Sequence, residues 1–115
     1  MLPAPHRMRR SADFARALRA GQRARRGCLV VHQQRESGPD DAPALVGLIV
    51  SKAVGGSVVR HRVSRRLRAQ VAHRVDQLPP ASRTVVRALP AAAQAPSAQL
   101  GADLDRALRS LTAAQ

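Results

Sequence analysis

The segment SKAVGGSVVRHRVSRRLRA, residues 51–69, carries six cations and no carboxylate, and a Gly55-Gly56 pair interrupts it. Solvated helices ordinarily mix charge signs so that neighbours support one another. Uncompensated cations repel one another until a polyanion neutralises them. Arginine suits that task because its planar fork matches two phosphate oxygens at once. Gly55-Gly56-Ser57 leads into a helix start flanked by Lys52 and Arg60. Unpaired amides and the helix dipole attract anions to such an end. A phosphate backbone is expected to cross this helix start and run along its arginine face. The Gly-Gly pair has neither the Walker spacing nor a dinucleotide fingerprint.

The remaining reactive side chains make no catalytic set. The acids are Asp13, Glu36, Asp40, Asp41, Asp76, Asp103 and Asp105. Asp40 and Asp41 sit in a loop, while Asp103 and Asp105, two apart on a helix, point away from each other. All are read as solvated surface acids, not as the two-metal carboxylate cluster of a protein nuclease. Cys28 and His32 could share a strand face, but two ligands do not make a zinc site. Cys28 reads as a small buried hydrophobe. His6, His32, His61 and His73 are dispersed, which argues against a general acid–base pair. No catalytic residue and no metal site are therefore assigned to the chain.

These groups must be positioned by a chain of 115 residues, the size of one domain. Such a domain hides roughly 65% of its unfolded surface and needs no staple or metal. Phe14 is the sole aromatic residue, so Val, Leu, Ile and Ala must fill the core. The net charge is +13, from 20 Lys and Arg against 7 acids. A GC-rich genome explains a choice of Arg over Lys, but not this excess. Nucleic acid is the leading partner and an anionic membrane surface the second. Cys28 is alone, which excludes an internal disulfide and fits a reducing cytoplasm. The start MLPAPHRMRR lacks the apolar stretch of a signal peptide, and ALVGLIV (44–50) is too short to span a bilayer. A cytoplasmic location without membrane association is expected.

Residues 1–10 read as an extended basic tail and 11–115 as a single RNA-binding domain. Ser11 can cap a first helix, with Asp13 in its first turn, Gly21 past its end, and Phe14, Ala17 and Leu18 on one face. Residues 27–34 and 44–51 read as strands, joined by ESGPDDAP as a hairpin-like loop. A long helix opens at Gly56 or Ser57 and runs to about Leu78, where Pro79-Pro80 ends it. Along it Val59, Val63, Leu67, Val71 and Val75 recur every four residues and face the core. Arg62, Arg65, Arg66 and Arg68 centre opposite, with His61 beside them and Arg60 over the apolar side. A third strand covers 83–89, residues 90–96 form a linker, and a last helix from Ser97 turns Leu100, Leu104, Leu108 and Leu111 inward. The order α-β-β-α-β-α describes an α/β or α+β single domain, helices packed on one sheet.

At the basic segment the sequence resembles the protein component of bacterial ribonuclease P. The family signature runs basic-x-x-Gly-x-small-Val-x-Arg-Asn-Arg-x-x-Arg-x-x-Arg. Lys52, Gly55, Ser57, Val58, Arg60, His61, Arg62, Arg65 and Arg68 occupy it in register. RMRRSADFARALRAG resembles the N-terminal segment of the family, with Asp13, Phe14, Leu18 and Gly21 in place. LVGLIVSK and TVVRALPAAA resemble the strands on either side of the signature. Four positions depart from the family pattern. Gly56 replaces a frequent Asn and His61 the middle Asn of Arg-Asn-Arg. Leu18 and Val31 stand where members often carry cleft aromatics.

The resemblance implies an α-β-β-α-β-α sandwich with a left-handed β-α-β crossover, against the usual hand. It implies a partner, the ribonuclease P catalytic RNA, docked on Lys52, Arg60, His61, Arg62, Arg65, Arg66 and Arg68. It implies a cleft for the precursor tRNA 5′ leader at Arg9, Phe14, Leu18 and Val31. Catalysis of leader removal would belong to the RNA, with Mg²⁺ bound mainly by that RNA and the substrate. No homo-oligomer is expected. A basic ribosomal or other structural RNA-binding protein remains the alternative, with a DNA-binding regulator and an autonomous nuclease behind it.

Overall fold

The computed structural model describes residues 4–35 and 42–113. The elements are α1 (Ser11–Ala20), β1 (Gln22–Arg26), β2 (Leu29–Arg35), β3 (Leu45–Ile49), α2 (Ser57–Ala72), β4 (Ser82–Ala88) and α3 (Ser97–Ala113). They build an α+β domain around one four-stranded sheet of order β1-β2-β4-β3. β1, β2 and β4 pair antiparallel, and β3 pairs parallel to β4 across the α2 crossover.

Period-two alternation gives the sheet two different faces. Ala24, Leu29, Val31, Val46, Val86 and Ala88 meet Val63, Leu67 and Val71 of α2 and Leu100, Leu104 and Leu111 of α3 in the main core. The opposite face carries a smaller cluster, in which Val85, Leu45 and Ile49 pack on Met8, Phe14 and Ala17. α1 and the preceding segment therefore cover one face, and α2 with α3 the other.

Several elements differ from the sequence reading. β1 is an additional strand: QRARR has only Ala24 turned inward, so it shows no apolar alternation. A tight turn at Gly27, with φ of 55°, folds it onto β2. Strands β2 and β3 do not form a hairpin, because β4 inserts between them. The acidic loop residues Glu36, Asp40 and Asp41 lie outside the described residues.

Helix α2 stops at Ala72 rather than near Leu78, followed by a 3-10 turn at Val75–Gln77. Arg74 turns back there, donating to the Gln70 carbonyl at 2.8 Å and to Asp105 at 2.6 Å. A cation on the last carbonyls is a favourable helix stop. Ser11 does not cap α1; it is the first helical residue, and Arg10 before it makes no side-chain cap.

The segment read as an extended tail is docked at its inner end. Ala4–His6 form a 3-10 turn, Arg7 bridges to Val46, and the buried Met8 donates its N–H to the Val46 carbonyl at 2.8 Å. His6 Nδ1 donates to the Ala44 carbonyl at 2.8 Å. This segment covers the outer edge of β3.

Candidate nucleic-acid interface

The turn before α2 is held by the Val54 N–H on Ser51 O and the Gly55 N–H on Lys52 O, with the Val54 side chain buried beneath. Lys52 is left exposed on this turn. Gly56 caps α2 without any side-chain bond, and the first turn holds no acid. The leading amides of α2 thus face outward with no carboxylate competing for them. Val58 stands 77% exposed beside them.

From its buried stripe, α2 presents its cations in three directions. Arg65 is exposed at the crest opposite the core. Arg62 and Arg66 lean to one flank, where they donate to the carbonyls of Ala93 at 3.1 Å and Ala95 at 2.9 Å. Those carbonyls belong to the segment after β4, a 3-10 helix at Pro90–Gln94 where a linker was expected. Arg60, His61 and Arg68 lie on the other flank, with Ser57, Ser64 and Val50, around a slot of about 220 Å³. Arg60 is half-buried, and its Nε has no partner in the described structure. Among the described residues, no carboxylate pairs with any arginine of α2. Hydrogen bonds to carbonyls orient a guanidinium without neutralising it, so the charge stays available to an anion.

A second recess of about 220 Å³ lies at the β3 edge, lined by Arg7, Met8, Arg9, Phe14, Val46, Gly47, Leu48 and Arg68. Phe14 owes its pose to Gly47: a Cβ there would overlap the ring, so the ring rests on bare strand backbone. Arg68 lines both recesses and joins the arginine face of α2 to the face of the sheet under α1. Leu18 is 39% exposed on the same side of α1 as Phe14. The ring sits over the cross-strand row Gly47, Val85, His32 and Arg23, and the next row on the same face is Ile49, Arg87, Val30 and Arg25.

Val31 does not belong to this groove. It is fully buried in the main core, on the α2 and α3 face. A one-residue offset along a strand swaps faces, and Val30 and His32 are the β2 residues under α1. His32 is 7% exposed and its Nε2 has no partner. Burial, then Arg87 and Arg23, pull its pKa below the usual histidine value. The sequence reading also missed Arg23, Arg25 and Arg87, which share the sheet face under α1 only through the unforeseen β1 and the strand register.

Three of the described acids are engaged elsewhere. Asp13 accepts from Arg83 at 2.7 Å and Asp105 from Arg74 at 2.6 Å. The Arg74 bond holds Asp105 below the usual carboxylate range. Asp103, read as a surface acid, is fully buried. It accepts from the Cys28 N–H at 3.0 Å, the Cys28 thiol at 3.1 Å, Gln99 Nε2 at 2.8 Å and Arg106. Burial pushes Asp103 up, but the bonds from Cys28, Arg106 and Gln99 outweigh it and the net pKa is lowered. Burial and then Asp103 push the Cys28 thiol up to about 11, so it is an unreactive buried donor.

Comparison with known proteins decides between the open readings. The ribonuclease P family profile matches residues 2–112. The chain belongs to the ribonuclease P protein family. The ribonuclease P protein component of Streptomyces bikiniensis is 51% identical, the alignment covering 96% of this chain and 95% of that one. That of Beutenbergia cavernae is 54% identical over 96% and 92%. The ribonuclease P protein of Staphylococcus aureus shares the fold with a TM-score of 0.78 at 23% identity, covering 91% of this chain and 94% of that one. That of Thermotoga maritima superposes with a TM-score of 0.74 at 17% identity over 93% and 96%. Family membership makes the chain the accessory protein of an RNA-based endoribonuclease of tRNA maturation, with ribonuclease P RNA as its partner. None of the described helices is long and apolar enough to cross a membrane.

Proposed function

We propose that this ribonuclease P protein docks the catalytic RNA on α2 and holds the 5′ leader of precursor tRNA in the groove beside α1. Arg68 carries the reading, because its side chain borders both the α2 slot and the Phe14 recess. A strand held at Phe14 is therefore placed directly against RNA held at Arg60, His61 and Arg65. Lys52, Arg62 and Arg66 extend the docking face on either side.

Within the groove, the Phe14 ring offers its free surface to a base, and Leu18 and Ile49 supply an aliphatic lining. Arg9 and Arg68 take phosphates at the β3 end. The chain then contributes to cleavage by fixing the leader, which converts a diffusing strand into a positioned one. Mg²⁺ would be held mainly by RNA and substrate. Both surfaces lie on one copy of the chain, so the reading needs no homo-oligomer. The cytoplasm is the compartment that fits it.

The test is a holoenzyme reconstituted with a bacterial ribonuclease P RNA, comparing affinity for precursor and mature tRNA. Base–aromatic contacts are worth about 1–3 kcal/mol. Phe14→Ala should therefore weaken precursor binding by roughly tenfold while mature tRNA is unaffected. Phe14→Leu keeps the packing on Gly47 and should show the same selectivity with an intact fold. Equal loss for precursor and mature tRNA would remove the leader-specific role.

A further inference from the structure

The sheet face that carries the Phe14 recess does not end at α1. Beyond Leu18, the row Arg25, Val30, Arg87 continues across the sheet to the edge strand β1, with Arg23 one pleat away beside His32. Arg23, Arg25 and Arg87 are all exposed. Strand spacing places Arg25 and Arg87, two strands apart, about 10 Å from each other, and Arg23 and Arg25 about 7 Å apart.

Like charges gathered on one sheet face repel one another until an anion neutralises them. Among the described residues, no carboxylate pairs with these three. The acid of α1 on this face, Asp13, is committed to Arg83. β3 supplies no charge in Leu45–Ile49. Arginine on an edge strand also deters unwanted strand addition. That role cannot explain Arg87, which lies on the interior strand β4. His32 reports the same field, since Arg87 and Arg23 both oppose its protonation.

We infer that Arg23, Arg25 and Arg87 form a phosphate clamp that grips the single RNA strand after it passes α1. The inference rests on the groove holding a leader, as proposed above. It adds that grip on the distal leader comes from backbone charge with little dependence on base identity, in a groove whose one aromatic ring sits at the other end.

The experiment uses the reconstituted holoenzyme with three substrates: mature tRNA, a precursor whose short leader ends beside α1, and one whose long leader reaches β1. With wild-type protein, affinity should rise at each step. Replacing both Arg23 and Arg25 (R23Q with R25Q) should cancel the gain from short to long leader, a loss of about three- to tenfold. It should also lower the salt slope for the long leader by about 1.4, at ~0.7 per single-strand phosphate contact. The short-leader affinity should be unchanged. In parallel, the His32 ring is titrated by NMR in the holoenzyme. Its pKa should rise when the long leader neutralises the flanking guanidiniums, and stay put with the short one.

Loss of affinity for both leaders alike, or for neither, overturns the clamp while leaving the Phe14 groove standing. A His32 pKa that ignores leader length overturns it too. Wild-type protein that gains nothing from any leader refutes the groove itself, and the clamp with it.

Discussion

Replacing Asp103 by Ala probes the joint that carries the β1–β2 hairpin. The carboxylate is fully buried and accepts the Cys28 N–H at 3.0 Å, the only tie between the hairpin turn and α3 for which a backbone group is the donor among the described bonds. Removing it orphans that N–H, worth about 1–3 kcal/mol, and deletes a charge-assisted bond of comparable strength. The Arg106 pair adds little, because Arg106 is half-exposed and screened. The sum is about 3 kcal/mol, a large part of the stability of a domain this size. At about 4 °C per kcal/mol, Tm should fall by roughly 12 °C. Urea unfolding monitored by circular dichroism at neutral pH measures the free-energy loss, and a thermal melt the Tm.

The pH dependence supplies an internal control. The Asp103 pKa is lowered on folding, so its contribution is present above the unfolded value and fades as pH falls through the folded one. The gap between wild type and variant should therefore close in acid. A loss below about 1 kcal/mol at neutral pH, or a gap that persists in acid, would show that Asp103 is not the anchor described.

Gly27→Ala should be destabilising on two grounds, the positive φ and a Cβ that would overlap the Asp103 carboxylate, and the same urea assay reads it. Gly47→Ala should displace Phe14 and reduce precursor affinity while sparing mature tRNA, measured by equilibrium binding to the holoenzyme. Val31→Ala should cost about 2 kcal/mol of folding stability as a core truncation, yet leave the leader-dependent gain in binding intact. His32 has a folded pKa below its unfolded value, so it takes up protons on unfolding. Its contribution is present above the unfolded pKa near 6.5 and is lost as pH drops below it, a loss that His32→Gln should abolish in a stability–pH profile.

How much of this was legible in the sequence follows from where the physical signals lie. The valine and leucine spacing of α2 fixed which side its cations face, and Val63, Leu67 and Val71 are buried as the spacing requires. The signature groups the candidate RNA-docking residues because glycine turn, helix start and arginines are contiguous in the chain. Strand β1 was hidden because a strand formed mostly of arginines has no apolar period; only its pairing to β2 reveals it. The Val31 assignment failed for a related reason. β2 is buried on both faces from Leu29 to Gln33, so alternation could not say which side faces α1. Asp103 looked solvated because its partners, a turn amide and a thiol, lie 75 residues away in sequence. Arg62 and Arg66 were placed on the right helix, but their carbonyl partners depend on how the 90–95 segment folds back.

The central claim is that the guanidinium groups of α2 clasp ribonuclease P RNA. The most direct test is a salt titration of that RNA's affinity for wild-type protein and for a variant carrying Arg60→Gln, Arg65→Gln and Arg68→Gln. If each arginine neutralises one phosphate of duplex-like RNA, the log–log slope should fall by about 0.9 per residue, or ~2.7 in all. A variant that binds with the same affinity and the same slope as wild type would contradict the account.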